Sequence, residues 1–241
     1  MFIRLIFHNL LLYIFILLSV PLFCLVIFII GPLEKRRTFS HGVSRFWMRI
    51  VLFLSGVSLE VKGLENLDPK GAYIFAANHQ SQFDIPTLEV ALPFQIRWLA
   101  KKSLFHIPVF GWALKVIGYI PVDRENPRGG LKSLIAAAEK VKEGFSVVIF
   151  PEGTRSRDGK LLPFKPGGFV LAIKSEQPIV PVAICGTREI MPKGRLWVSP
   201  GKVRIKIMSP IETKGLSLRD KDRLAQKVRE KLEEALSSSC L

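Results

Sequence analysis

His79 and Asp84 stand five residues apart in FAANHQSQFDIP, residues 75–86, in a chain that has four histidines in all. A carboxylate that holds one imidazole nitrogen fixes the ring's tautomer and leaves the other nitrogen free to take a proton, which is the working part of a general base. On one straight helix these two side chains would point roughly 140° apart, so a turn has to bring them together. Gln80, Ser81 and Gln82 permit such a turn, and Pro86 suits the first turn of a following helix with Asp84 close to its N-cap. Asp84 acting as a plain helix cap is the simpler reading of the same residues, and the two roles are compatible. The chain has no GxSxG elbow and no cysteine near His79, so the base would act on a substrate hydroxyl directly, without an acyl-enzyme.

A second apolar run breaks into polar chemistry at VVIFPEGTRSRDG, residues 147–159. Gly153 lets the backbone approach an anion closely, and Arg155 offers a planar fork of donors suited to phosphate. Glu152, Thr154 and Ser156 share that turn. The alternative is a solvated loop with ordinary surface arginines, which leaves the order strand-Pro-Glu-Gly-Thr-Arg-Ser unexplained.

Both stretches need strands to carry them. From about residue 57, β-branched and aromatic runs at 58–62, 73–77, 96–100, 117–122, 145–150, 179–184 and 203–208 alternate with helical stretches at 86–92, 128–143 and 168–176. A mixed-charge helix follows at 218–236. This is an α/β pattern, and the strand ends of open α/β sheets are where ligands bind. We expect an α/β domain over residues 57–241 and a membrane-associating element over residues 1–56.

The N-terminal element rests on two signals. From Leu5 to Leu33 there is no Asp, Glu, Lys or Arg, a run long enough to cross a hydrocarbon core of roughly 30 Å. No small-residue cleavage site follows it, which argues against a signal peptide. Residues 39–54 then repeat apolar side chains at helical spacing, with His41, Arg45 and Arg49 elsewhere on the wheel. That pattern predicts an interfacial helix whose basic residues meet headgroups, the alternative being a helix packed on the core. If the first segment spans, Lys35, Arg36 and Arg37 put the remainder on the cytoplasmic side.

With 241 residues, a formal charge of +15 and a mean hydropathy of +0.29, the chain can bury a sizeable core and calls for an anionic partner. The apolar N-terminus and the absence of a basic-aromatic recognition module argue against nucleic acid as that partner. Cys24, Cys185 and Cys240 show no metal-ligand spacing and no disulfide framework, which points to a reducing, cytosol-facing location.

NHQSQFD, Asn78 to Asp84, resembles the NHx4D motif, and FPEGTRS, Phe150 to Ser156, the FPEGTRS motif, of the 1-acyl-sn-glycerol-3-phosphate acyltransferases and their glycerolipid acyltransferase relatives. LAKKSLFHIPVFGW at 99–112 with GYIPVDR at 118–124, and IVPVAI at 179–184, resemble that family's second and fourth blocks, and all four follow in the family's order. The resemblance implies the glycerolipid acyltransferase fold, a mixed, largely parallel sheet flanked by helices, with an N-terminal membrane-associated pair of helices. It implies transfer of a fatty acyl group from an acyl carrier protein or coenzyme A thioester to the sn-2 hydroxyl of lysophosphatidic acid, giving phosphatidic acid, with no metal or redox cofactor. On it, His79 would deprotonate the hydroxyl and Asp84 would orient His79, while Asn78 would position the turn. Arg155, helped by Lys101 and Arg124, would hold the substrate phosphate in a pocket shaped by Glu152, Gly153 and Thr154, with Lys102 or Lys165 as alternatives to the helpers. The implied partners are lysophosphatidic acid, the thioester donor and membrane lipids, and the implied location is the inner, cytoplasmic membrane with the catalytic domain facing the cytoplasm. A sister enzyme acting on glycerol 3-phosphate or another lysophospholipid would carry both motifs. A non-catalytic tether for anionic lipids would have no use for the His79/Asp84 pair.

Overall fold

The computed structural model describes residues 2–34, 37–123 and 127–239. Seven strands form one sheet: β1 (Val57–Lys62), β2 (Ile74–Ala77), β3 (Ile96–Lys101), β4 (Ile120–Val122), β5 (Ser146–Ile149), β6 (Ile179–Cys185) and β7 (Gly201–Ile207), in the order β1-β7-β6-β2-β5-β3-β4. β6, β2, β5, β3 and β4 run parallel, and β7 joins β6 antiparallel while pairing parallel with β1. The sheet is therefore mixed and largely parallel, and the carboxyl ends of β2, β3, β5 and β6 open at one edge.

Helices cover both faces. Along β2, Phe75 and Ala77 enter the core on one face and Ile74 and Ala76 the core on the other, all four shielded from solvent. Burial on both faces is why β2, β5 and β6 read as unbroken apolar runs. The first core takes Leu52 of α2 (Thr38–Leu54) and Leu88 of α3 (Asp84–Ala91). The second packs α5 (Pro127–Lys142), α6 (Gly167–Ser175) and α8 (Lys221–Ser239) through Ala137, Phe169, Leu171 and Val228.

Three expectations need correction. Residues 117–122 do not form one strand: Phe110–Ile117 is a helix, α4, that ends on Gly118 at φ 90°, and only Ile120–Val122 pairs. Ala113 and Ile117 of α4 bury against Cys24 and Ile27, so the apolar run serves a helix contact. Pro121 has no N–H to give, which an edge strand such as β4 tolerates. Cys185 is disulfide-bonded, contrary to the reading of the cysteines as unpaired.

The third correction concerns α2. His41 is buried and Arg45 points inward, donating to the carbonyls of Glu89, Leu92 and Phe94 at 3.0, 2.7 and 2.6 Å. These side chains secure α2 to α3 and are not presented to headgroups; Phe39, Phe46 and Phe53 are the exposed ones. Arg45 caps carbonyls left free at the end of α3, a demand that helical periodicity does not reveal. Ahead of α2, α1 (Phe2–Ile30) makes up most of the stretch Leu5–Leu33, which by length and composition can cross a membrane and is mostly unburied.

Beneath α2, Glu89 receives the Trp98 indole at 2.6 Å and lies 3.2 Å from His41 Nε2, which accepts the Ile96 N–H at 3.0 Å. Burial holds the His41 imidazole down at about 3 and pushes the Glu89 carboxyl up to about 7. Above its ordinary value of 4.5 the unfolded chain ionises Glu89 while the folded chain keeps it protonated, so this group removes stability as pH rises to about 7. Glu89→Gln deletes that term. Relative to the parent, the variant should gain about 1.4 kcal/mol per pH unit across the window, read from melting curves in detergent. A pH-independent difference between the two proteins would show that Glu89 does not titrate as described.

Candidate active site

β2 runs into its turn under tight control. The β2–β6 ladder ends at Ala77, and the Asn78 side chain extends it: its amide donates to the Ile184 carbonyl at 2.9 Å and its oxygen accepts the Ile184 N–H at 2.8 Å. Gln80 donates to the same carbonyl at 2.9 Å, and the Ser81 hydroxyl donates to Met191 O at 2.7 Å. The chain then turns into α3 with His79 Nδ1 2.7 Å from Asp84 Oδ2.

Asp84 is fully buried and accepts from four groups. Oδ2 takes the His79 ring, the Gln80 N–H at 2.7 Å and the Ser81 N–H at 2.9 Å, and Oδ1 takes the Thr187 hydroxyl at 2.5 Å. Two backbone donors already occupy Oδ2, so the ring meets it as a third donor, through the hydrogen on Nδ1. In the neutral ring of that tautomer the lone pair is on Nε2. Asp84 does not act as the helix cap that its position suggested: Phe83 is the N-cap of α3, and the carboxylate turns back onto the amides before the helix.

The β5 turn holds His79 from the other side. Ile74, Phe75 and Ala76 pair with Val147, Val148 and Ile149, so the two motifs meet although about 70 residues separate them. The His79 N–H donates to Glu152 Oε1 at 2.8 Å, and its carbonyl accepts the Ser156 N–H at 2.7 Å. Glu152 Oε2 accepts the Leu162 N–H at 2.9 Å. Burial pushes the Glu152 carboxyl above its usual range, against the pull of those two amide donors. Glu152 thus braces the His79 peptide and does not face a ligand cavity. The His79 ring stacks on Phe150, centroids 3.9 Å apart and planes within 12°, which holds it flat at the strand ends.

His79, Trp98, Phe150, Gly153, Lys165 and Gly168 are among the residues lining a cavity of about 380 Å³ outside the carboxyl ends of β2, β3 and β5. Its wall is mainly apolar, with Lys165 and Asp123 as its charged members. Gly153 has φ 69°, and a Cβ there would fall 2.9 Å from Lys165 Cδ and Cε, so the bare backbone is what lets the lysine lie across the turn. Of the expected phosphate group, Arg155 and Thr154 stand on the turn but not on this wall, and Lys101 is exposed at the end of β3. Arg124 lies outside the described residues. Lys102 pairs with Asp123 at 3.3 Å. Lys165, named from sequence only as an alternative, is the lysine the fold brings to the cavity.

Sequence reasoning missed Thr187 and Trp98. Thr187 opens α7 (Thr187–Ile190) just beyond β6, after Gly186 at φ 95°. A glycine-threonine pair at the end of a third parallel strand was the available signal. Trp98 sits within an apolar strand and gave none.

The geometry agrees with three comparisons. The family described as Acyltransferase matches residues 58–185. The chain is 40% identical over 178 residues to the chloroplastic 1-acyl-sn-glycerol-3-phosphate acyltransferase BAT2 of Brassica napus, covering 73% of this chain and 51% of that protein. It is 32% identical over 179 residues to 1-acyl-sn-glycerol-3-phosphate acyltransferase alpha of Mus musculus, covering 73% and 63%. The chain therefore spans about half to two thirds of the length of these relatives. The crystal structure of the 1-acyl-sn-glycerophosphate (LPA) acyltransferase PlsC from Thermotoga maritima superposes with a TM-score of 0.83 at 29% identity, covering 98% of this chain and 96% of that one. With the family match running from the first strand through the sixth and taking in both turns at His79, the chain belongs to the Acyltransferase family.

Proposed function

We propose that this chain transfers a fatty acyl group from a thioester to the sn-2 hydroxyl of lysophosphatidic acid, giving phosphatidic acid. The observation that carries the reading is the His79 Nδ1 contact of 2.7 Å to a buried, four-fold hydrogen-bonded carboxylate, with the same ring lining an apolar cavity. Nε2 takes the proton of the substrate hydroxyl as its oxygen attacks the thioester carbonyl. The carbon–sulfur bond of the resulting tetrahedral species then breaks, and the departing thiolate takes the proton back from Nε2. The products are an ester and a free thiol, from acyl carrier protein or coenzyme A, and no covalent enzyme intermediate forms. Asp84 stabilises the transient imidazolium; Asn78 and Glu152 keep the His79 peptide in place. The apolar wall suits an acyl chain. Arg155 and Lys165 hold the phosphate, with Lys101 and Arg124 as further cations, while α1 anchors the domain on the cytoplasmic face of a bilayer.

Purified full-length protein given lysophosphatidic acid and each thioester should yield a product of the mass of phosphatidic acid. Absence of product with every donor would remove this reading. Arg155, whose guanidinium makes no hydrogen bond or ion pair among the described residues, separates recognition from chemistry. Each charge-assisted hydrogen bond contributes about 1.5–3 kcal/mol, so Arg155→Ala should raise the apparent KM for lysophosphatidic acid at least about tenfold. A choline-masked lysophospholipid should be a poor acceptor and lose comparatively little. Equal losses for both acceptors would make Arg155 structural and move the phosphate site to Lys165 and Lys101.

A further inference from the structure

Arg157, Arg188, Lys193, Arg195 and Trp197 line a second cavity, of about 420 Å³, with Glu189 as its acidic member. It shares no lining residue with the cavity at His79. Four cations face one carboxylate, so its ligand is anionic. Two of its cations are tied to the turn after β5: Lys193 Nζ donates to Thr154 Oγ1 at 3.1 Å and to Arg155 O at 2.7 Å, and Arg188 Nε donates to Arg157 O at 3.1 Å.

What surrounds the cations identifies the anion. Leu196 is 74% exposed and Trp197 36% exposed, beside Arg195. The same loop is fastened to α1: Asn9 donates to Val198 O at 2.9 Å and accepts the Val198 N–H at 2.8 Å, and the Tyr13 hydroxyl donates to Leu196 O. Leu10, Leu11, Ile14, Leu17 and Leu18 continue along α1 as exposed apolar side chains. One loop therefore ties a cluster of cations to the apolar surface of α1, with an exposed tryptophan between them, as at a membrane–water interface. Soluble anions have no use for the apolar part of that pattern.

We propose that this pocket binds the phosphodiester headgroup of an anionic bilayer phospholipid, whose acyl chains run along Leu196, Trp197 and α1. The inference rests on α1 facing lipid and is independent of the acyl transfer assigned to His79.

Full-length protein in dodecyl maltoside micelles is titrated calorimetrically with dihexanoyl phosphatidylglycerol, dihexanoyl phosphatidylcholine and inorganic phosphate. Phosphatidylglycerol should bind saturably and at least about tenfold more tightly than either control, because the choline cation cancels the charge and inorganic phosphate lacks the chains. Arg188→Gln with Arg195→Gln should weaken that binding about tenfold or more, two charge-assisted bonds being removed. Arg155→Ala, which disables the proposed substrate-phosphate site, should leave it unchanged. Should the double variant melt lower than the parent, Arg195→Gln is read by itself, since that exposed guanidinium makes no hydrogen bond or ion pair among the described residues; a several-fold loss is expected from it. Equal binding of phosphatidylglycerol and phosphatidylcholine, or undiminished binding in these variants, overturns the proposal. Inorganic phosphate binding as tightly as the lipid would make this a free-anion site. Acidic carrier protein captured through Arg188 and Arg195, with no lipid bound, would make it a protein-docking site, and loss only in Arg155→Ala would put the lipid at the proposed substrate-phosphate site.

Discussion

His79→Ala should lower kcat/KM for acyl transfer by roughly 10²- to 10⁴-fold, the range for a positioned general base. The fold should survive the truncation. Asp84 keeps the Gln80 and Ser81 amides and the Thr187 hydroxyl as donors, so the buried carboxylate is not orphaned. The His79 backbone remains held by Glu152 and by the Ser156 amide, neither of which involves the imidazole. What disappears is the ring on Phe150 and the nitrogen that takes the proton. His8, His41 and His106 offer no replacement, because none of them lines the cavity. Steady-state rates with lysophosphatidic acid and a thioester, together with melting curves, check both halves. Activity close to the parent's in a folded His79→Ala protein would sink the general-base mechanism.

Asp84→Asn should be the second large effect, and it separates charge from shape. The amide oxygen can stand where Oδ2 does, keep the Gln80 and Ser81 amides and still accept from Nδ1. The amide nitrogen then meets the Thr187 hydroxyl, which rotates to accept in place of donating. The turn survives at a cost of about 1–3 kcal/mol for a weakened buried network. A neutral amide, however, does not stabilise the imidazolium that forms when Nε2 takes a proton, so the rate should fall on the order of 10²- to 10⁴-fold with the fold retained. Thr187→Val tests the other oxygen and should be milder, since Oδ2 keeps its three donors. A folded Asp84→Asn protein with the parent's rate would reduce Asp84 to a fastener of the turn.

The local half of this protein was legible in one dimension. Unbroken apolar runs marked β2, β5 and β6, because a strand buried on both faces must be apolar throughout, while β1 and β7 showed as alternating runs rich in β-branched residues. Asn78-His79 and Glu152-Gly153 marked two strand ends because polar groups and a left-handed glycine have no place inside such runs. The stretch from Leu5 to Leu33 announced itself by length and lack of charge. Spacing allowed His79 to meet Asp84 through a turn, but the same residues also read as a plain helix cap, and the 2.7 Å contact is a finding of the structure.

Partners that depend on which strands become neighbours were hidden. Only the placement of β2 between β5 and β6 brings Glu152 under the His79 amide and Thr187 onto Asp84. Glu152 was therefore read as part of a pocket when it braces a peptide. His41 and Arg45 were read as a headgroup-facing stripe, yet both turn inward, Arg45 to carbonyls at the end of α3 that need donors and His41 to the Ile96 N–H, which needs an acceptor. Residues 110–117 became a helix because α1 supplies an apolar surface for their periodic side chains. Apolar periodicity is a property of one segment and survives in the linear chain. The partner that satisfies a buried polar group comes from a distant segment, and only the tertiary structure selects it.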